Sequence, residues 1–268
     1  MKALIEAGFP SLARSYRLWR DRRAFARRRM RPTTLGFDFI GVEGMPESRS
    51  ASGELQLLRD LLQSTEVFVD VGANCGLYTL ISCHAGVPAL AFEPNQENFQ
   101  LLLRNLAHNR CRIAEAFQIA LSSKPGVMPL FGGGEGGSLE SNWGGMTNTY
   151  SRLVSVNTLD NLIAGRFPDG RMVIKIDVEG HEYGVLSGAE KLLARAPAPS
   201  WLIEHGFREN FSDGINPRFL EVFERFWSHG YESYTADTDR QPVRREDVQR
   251  WMLKGERDFG DMNYLFQR

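Results

Sequence analysis

The stretch VFVDVGANCGLYT (residues 67–79) passes from an unbroken apolar run through two glycines into residues that open a helix. A short continuous run of apolar residues reads as a strand buried on both faces, the kind found in parallel sheets covered by helices. Gly72 and Gly76 let the backbone turn tightly and let a ligand approach its peptide groups. A second run, ALAFEP (residues 89–94), ends on Glu93, 21 residues beyond Gly72. An acidic side chain at that place takes both hydroxyls of a ribose in nucleotide-binding βαβ units. The two motifs therefore predict a ligand with an adenosyl or nucleotide part at the carboxyl end of the first strands.

Two details separate the ligands that fit. The dinucleotide fingerprint G-x-G-x-x-G is missing, since this loop has only Gly72 and Gly76. Asp70 ends the strand directly before the turn, where a carboxylate repels a pyrophosphate but suits a ligand with an ammonium group and a positive sulfur. S-adenosylmethionine (SAM) is such a ligand, and a nicotinamide-dependent oxidoreductase is the reading these residues contradict.

Working outward, a helix over Glu54–Gln63 places Leu55, Leu58 and Leu62 on one side. Beyond the first strand come a helix from Leu77, a strand Ala89–Phe92, a helix Gln96–Asn109 and a strand Ala116–Leu121. Later segments read as a strand Met172–Ile176, a helix Val185–Ala194, a strand Trp201–Ile203, a helix Arg218–His229, and strands near Tyr231–Thr235 and Asn263–Gln267. This alternation predicts an α/β domain with a mainly parallel sheet. Residues 122–149, with eight glycines among 28 residues, are too long for a mere connection and read as a functional loop.

The chain has 268 residues, 42% hydrophobic and 24% charged, which places it among globular proteins and excludes disorder. Its three cysteines, Cys75, Cys83 and Cys111, are too few for a disulfide framework and lack the paired spacing of a zinc site, so a reducing, cytoplasmic setting is expected. The net charge of -1 hides an asymmetry: residues 1–31 carry +8 and the remainder -9. An acidic body argues against a nucleic-acid surface, so any anionic partner would meet the arm. From Pro10 the arm reads as a helix with Leu12, Tyr16, Trp19, Ala26 and Met30 in a stripe that Arg23 interrupts. Three readings stay open for it: packing on the body or a neighbouring subunit, lying on anionic lipid, or an organelle transit peptide. The one long stretch without charge, 71–92, is punctuated by glycine, asparagine and proline and does not read as a membrane span.

These motifs resemble the FkbM-type SAM-dependent methyltransferases. The resemblance runs through FVDVGANCGLYT (68–79), AFEPNQENF (91–99), ALS (120–122), VNTLD (156–160), KIDVEGHE (175–182) and VLSGA (185–189). It covers residues 66–205 and the closing NYLF (263–266). It implies the class I methyltransferase fold, a Rossmann-like seven-stranded sheet in the order 3-2-1-4-5-7-6 with strand 7 antiparallel. It also implies O-methylation of a hydroxyl on a saccharide, polyketide or other secondary metabolite. Residues 1–50 lie outside it as arm and lead-in, and residues 51–268 form the methyltransferase domain, with 122–149 as a lid.

On that resemblance Asp70, Gly72, Ala73, Asn74 and Gly76 would hold the methionine part of SAM, with Tyr78 and Thr79 opening the helix beneath it. Glu93 and Pro94 would meet the ribose, and Ala120 and Leu121 would flank the adenine. Asp177, at the end of the fourth strand, borders the cofactor and is the first candidate for accepting the acceptor's proton, with His181, Glu204 and His205 behind it. Alternation puts Lys175, Asp177 and Glu179 on one side of the strand, Lys175 and Glu179 equally readable as an internal ion pair. In the lid, Ser138, Asn142 and Trp143 would face the acceptor, with Phe207, Asn210 and Phe211 forming the opposite wall. Some related methyltransferases hold Mg²⁺ at the ends of strands four and five, and its ligands here would be Asp177, Glu204 and His205. The competing function is a degenerate SAM-binding module that recruits a partner or membrane through the basic arm. Acceptor identity, N- or C-methylation and oligomeric state stay open.

Overall fold

The computed structural model describes residues 28–41, 44–46, 53–133, 136–141, 143–145, 151–211, 214–260 and 262–268. The helical arm from Pro10, up to residue 27, and Asn142 fall outside them. Two short strands, β1 (Arg31–Pro32) and β2 (Asp38–Phe39), pair as a hairpin and lead to α1 (Gly53–Leu62). Then follow β3 (Val67–Val71), α2 (Leu77–His84), β4 (Ala89–Phe92), α3 (Gln96–His108) and β5 (Ala114–Phe117). A small three-stranded sheet is made by β6 (Ala120–Leu121), β7 (Gly126–Phe131) and β8 (Ser151–Asn157). The second half continues with α4 (Leu159–Ile163), β9 (Met172–Ile176), α5 (Glu182–Ser187), α6 (Glu190–Ala194) and β10 (Ser200–Glu204). It closes with α7 (Phe219–Ser228), β11 (Glu232–Thr235), α8 (Arg245–Lys254) and β12 (Asn263–Gln267).

The main sheet runs β5-β4-β3-β9-β10-β12-β11. Counting its strands in chain order gives 3-2-1-4-5-7-6, with β12 antiparallel to both β10 and β11. β3, β4, β5, β9 and β10 are parallel, so their carboxyl ends share one edge. Strand parity sorts the side chains onto two faces. Val67, Val69, Val71, Ile174, Ile176, Trp201 and Ile203 join the core beneath α5 to α8. Phe68, Val173 and Leu202 join the core beneath α1, α2 and α3. On α7 the spacing of Phe219, Val222, Phe223 and Phe226 builds one apolar face, which packs Phe223 edge-on to Tyr264 at 4.9 Å.

Four expectations are corrected. The run Ala116–Leu121 is two strands in different sheets, because Ile119 turns the chain by donating to Phe117 O at 3.0 Å. Residues 122–149 are not all loop, since β7 pairs antiparallel with β8 over six positions. The helix 185–194 breaks at Gly188, where a Cβ would stand 2.2 Å from Ser122 O. The lead-in is not separate through residue 50: Leu35, Phe37, Phe39 and Ile40 are buried in the core of the sheet, and Asn105 holds Ile40 through its backbone N–H and C=O at 2.9 Å each.

The cysteine reading changes as well. Cys83 lies in the last turn of α2 and Cys111 follows α3, and the two are joined by a disulfide with Cα atoms 5.9 Å apart. Their meeting follows from topology, because β4 and β5 are neighbours and the turns that precede them lie side by side.

Candidate active site

The turn after β3 is shaped by close approach. Gly72 has φ +83°, and a Cβ there would fall 1.8 Å from the Asp177 carbonyl oxygen, a backbone atom that cannot yield. Only glycine lets the ends of β3 and β9 meet, where Asp177 N donates to Val71 O at 2.9 Å. Gly72 and Ala73 then donate to Phe92 O, drawing the turn onto the end of β4. Glu93 is fixed there by backbone alone: Oε2 accepts from Asn74 N at 2.8 Å and Oε1 from Asn95 N at 2.7 Å. Burial pushes its carboxyl up to about 7 even though both N–H groups pull the other way. Each oxygen keeps a lone pair for a further donor.

These elements border one cleft at the carboxyl ends of the parallel strands. Of the residues singled out in the sequence, Gly72, Ala73, Asn74, Tyr78, Glu93, Pro94, Ala120, Leu121 and Asp177 line it. Gly137 and Leu139, between β7 and β8, cover it. Asp70, Gly76 and Thr79 do not line it. Strand parity turns Asp70 to the α1 and α2 face, where its Oδ2 accepts from Thr79 Oγ1 at 2.5 Å and burial pushes the carboxyl up to about 6. Gly76 starts α2 in the left-handed region, with a Cβ meeting Leu102 at 2.3 Å.

At the other end Asp177 and Glu204 line both this cleft and a smaller slot of about 250 Å³. The slot shares Trp143, Gly180 and Asn210 with an open groove that Phe211, Tyr183 and Arg218 border. Asp177 Oδ2 accepts from Lys175 Nζ at 3.1 Å. Glu179 leaves the strand pattern with φ +54° and meets the segment between β7 and β8 instead. Its carbonyl accepts from Ser138 Oγ at 2.6 Å and its Oε2 from Trp143 Nε1 at 2.8 Å. The Trp143 ring lies where a Cβ on Gly180 would stand, at 2.4 Å, with its edge against Phe211. Ser138 is therefore buried against the loop after β9, and Trp143 stands between slot and groove.

A family model described as the methyltransferase FkbM domain matches residues 70–233, more than half of the chain. The chain belongs to this family. Hexuronic acid methyltransferase AglP of Haloferax volcanii is 32% identical over 163 residues, 59% of this chain and 65% of that protein. Methyltransferase sdnD of Sordaria araneosa is 30% identical over 165 residues, 48% of this chain and 62% of that protein. The matches thus span less than two thirds of these curated relatives. A solved methyltransferase FkbM from Methylobacillus flagellatus aligns over 76% of this chain and 44% of that one, at 19% identity and a TM-score of 0.47.

Within this FkbM chain several expected roles change. His181 lines both the cleft and the groove, but has both ring nitrogens engaged, Nε2 with Ser122 Oγ at 2.8 Å and Nδ1 with Glu140 Oε1 at 2.6 Å. A Cβ on Gly184 would touch the ring at 2.2 Å, so the histidine is clamped as a tie between three segments. The same contact holds the Glu140 carboxyl below the usual range. His205 does not reach the cleft: its ring stacks on Phe219 at 5.1 Å and Nδ1 faces Glu182 Oε2 at 3.2 Å. Phe207 is likewise buried behind the site, edge-on to Phe219. The candidate Mg²⁺ ligand set does not fit. His205 turns away, Lys175 occupies Asp177, and among the described residues no three His, Cys, Asp or Glu side chains converge as a metal site. No helix among the described residues is long and apolar enough to cross a membrane.

Sequence reading missed Glu140, Ser122 and Asn95. The N-cap pattern N-Q-E-N at 95–98 could have found Asn95, whose Oδ1 accepts from Glu97 N and Asn98 N. Ser122 closes the quoted ALS motif without a sign of its contact with His181, and no local signal marks Glu140.

Proposed function

We propose that this chain transfers a methyl group from SAM to an oxygen of a saccharide or related hydroxylated small molecule. The observation that carries the reading is one cleft with Glu93 at one end and Asp177 and Glu204 at the other. The residues fit SAM: Glu93 keeps lone pairs for ribose hydroxyls, and the turn residues Gly72, Ala73 and Asn74 line the cleft beside it. Gly72, Ala73, Asn74 and Tyr78 would take the methionine part, Glu93 and Pro94 the ribose, and Ala120 and Leu121 the adenine. When bound, SAM supplies an electrophilic methyl group on a positive sulfur. The chain's own task is then alignment of the acceptor oxygen, together with a carboxylate that receives its proton. Asp177 has that role, with Glu204 beside it orienting the acceptor. Trp143 and Phe211 offer aromatic faces where the groove meets the slot. The similarity to a hexuronic acid methyltransferase supports a saccharide acceptor.

The test is titration calorimetry with S-adenosylhomocysteine (SAH), with and without Mg²⁺ and beside an NAD control, followed by radiolabelled methyl transfer from SAM to a panel of neutral and uronic glycosides. SAH binding that ignores Mg²⁺, with label on a glycoside oxygen, is expected. SAH binding without transfer to any oxygen acceptor would point to the degenerate module, and NAD binding would overturn the cofactor.

A further inference from the structure

Helix α1 precedes the matched segment 70–233, and the reaction as described makes no use of it. Its first turn nevertheless carries a carboxylate to the lysine that holds Asp177. Gly53 packs against the chain after β11, a Cβ there meeting Asp237 Cα at 3.0 Å, which fixes where the helix starts. Glu54 follows, 2% exposed. Its Oε2 accepts from the Tyr78 hydroxyl at 3.0 Å, and its Oε1 lies 3.7 Å from Lys175 Nζ. Lys175, 1% exposed, reaches Asp177 Oδ2 on its other side and stands 4.5 Å from the centroid of the Tyr78 ring.

One ammonium thus lies between two carboxylates, one sealed under the sheet and one bordering the cleft. Burial opposes the charge of Lys175, yet Asp177 and Glu54 together hold its pKa well above the usual value. Had Lys175 only Asp177 to face, the pair would be neutral and the wall of the cleft would carry no charge from it. With Glu54 behind, these three side chains sum to one negative charge; Asp70 and Glu204 also bear on the ammonium, and of the five groups Asp177 and Glu204 border the cleft.

We infer that Glu54 is a positioning residue of the methyl-transfer site, meeting the charge of Lys175 from behind so that Asp177 presents a full negative charge to a cationic methyl donor. The inference rests on reading the cleft as a SAM site. It extends the site to a helix outside the matched segment, and it gives the buried lysine of KIDVEGHE an electrostatic task.

SAM and SAH differ at the sulfur, positive in one and neutral in the other, so the ratio of their affinities reports the charge of the wall. Calorimetry with both ligands is run on the wild type and on Glu54→Gln. SAH affinity should stay within about twofold, while SAM affinity falls about tenfold, the order expected for losing one charge about 12 Å away at an effective dielectric near 20. A merely structural Glu54 would weaken both ligands together, and an unchanged ratio overturns the inference. Should Glu54→Gln fail to fold, Asp177→Asn removes the charge at the wall itself; the ratio should fall likewise, and a constant ratio again overturns it. The double variant Glu54→Gln with Lys175→Met removes one charge of each sign, so the ratio should return to within about threefold of wild type. Absence of that recovery counts against the inference. Wild-type protein that binds neither ligand overturns the SAM reading itself, an outcome distinct from binding with an unmoved ratio.

Discussion

At the end of β4 Glu93 is held by peptide N–H groups from its own turn and the neighbouring one, whereas at the end of β9 Asp177 is held by a lysine whose charge a helix far away in sequence must share. Backbone donors cannot be mutated away, so the first arrangement tolerates change around it. Side-chain donors can be removed one at a time, so the second is open to tuning, and it is the end proposed to take the acceptor. The two meet at Gly72, whose missing side chain lets β3 and β9 close together.

The largest effect should come from breaking that junction. Gly72→Ala forces a Cβ onto the Asp177 carbonyl in a left-handed backbone, and should cost more than about 4 kcal/mol, enough to abolish a cooperative melt near room temperature. A stable variant with normal SAH affinity would mean the two ends are independent.

Next is the pH dependence that Glu93 imposes. Its folded pKa, about 7, lies above the ordinary 4.5. Between those values the folded chain holds a proton that the unfolded chain releases, so stability is full below the ordinary value and falls as pH rises through about 7. At about 1.4 kcal/mol per unit the loss is about 3 kcal/mol. Thermal melts of wild type and Glu93→Gln, which keeps the neutral form at every pH, should run together near pH 4 and separate toward pH 8 as wild type loses stability. Asp70, raised to about 6, leaves a smaller slope of the same sign in the variant. Parallel curves would show Glu93 already ionised in the free protein.

Asp177→Asn sharpens the other side of the contrast. It should lower methyl transfer about 100-fold, the usual scale of a lost general base, while SAH binding persists. Near-normal transfer would hand the role to Glu204.

How much of this was legible in sequence follows the same division. The β3 turn, Glu93 and the KIDVEGHE strand are local patterns, in which a few adjacent residues set strand, turn and helix start. The strand order followed from the resemblance those motifs carry. What stayed hidden depends on pairing across distance. β7 finds β8 some twenty residues on, and its Gly126 and Pro129 do not read as strand formers. The His181 tie joins Ser122 and Glu140, residues 59 and 41 positions away. Cys83 and Cys111 meet only because β4 and β5 are neighbours. Glu54 reads as the polar start of an amphipathic helix, and nothing before folding distinguishes it from a solvated first-turn carboxylate.

The smallest effect on cofactor should come from Trp143, and its smallness is informative. Gly137 and Leu139 line the cleft, but Trp143 lines only the slot and the outer groove. Its ring is placed by Glu179, Gly180 and Phe211, while Ser138 and Glu140 hold the preceding residues through separate bonds. Trp143→Ala should therefore leave those bonds intact and change SAH affinity by less than about twofold, well under the 1.4 kcal/mol that a tenfold change requires. Removing the ring joins slot to groove, so the KM of a glycoside acceptor should change far more than the affinity for SAH. A tenfold loss of SAH affinity would instead make residues 136–143 one unit with the β4 end of the cleft. The contrast between a backbone-held end and a side-chain-held end would then no longer separate cofactor from acceptor.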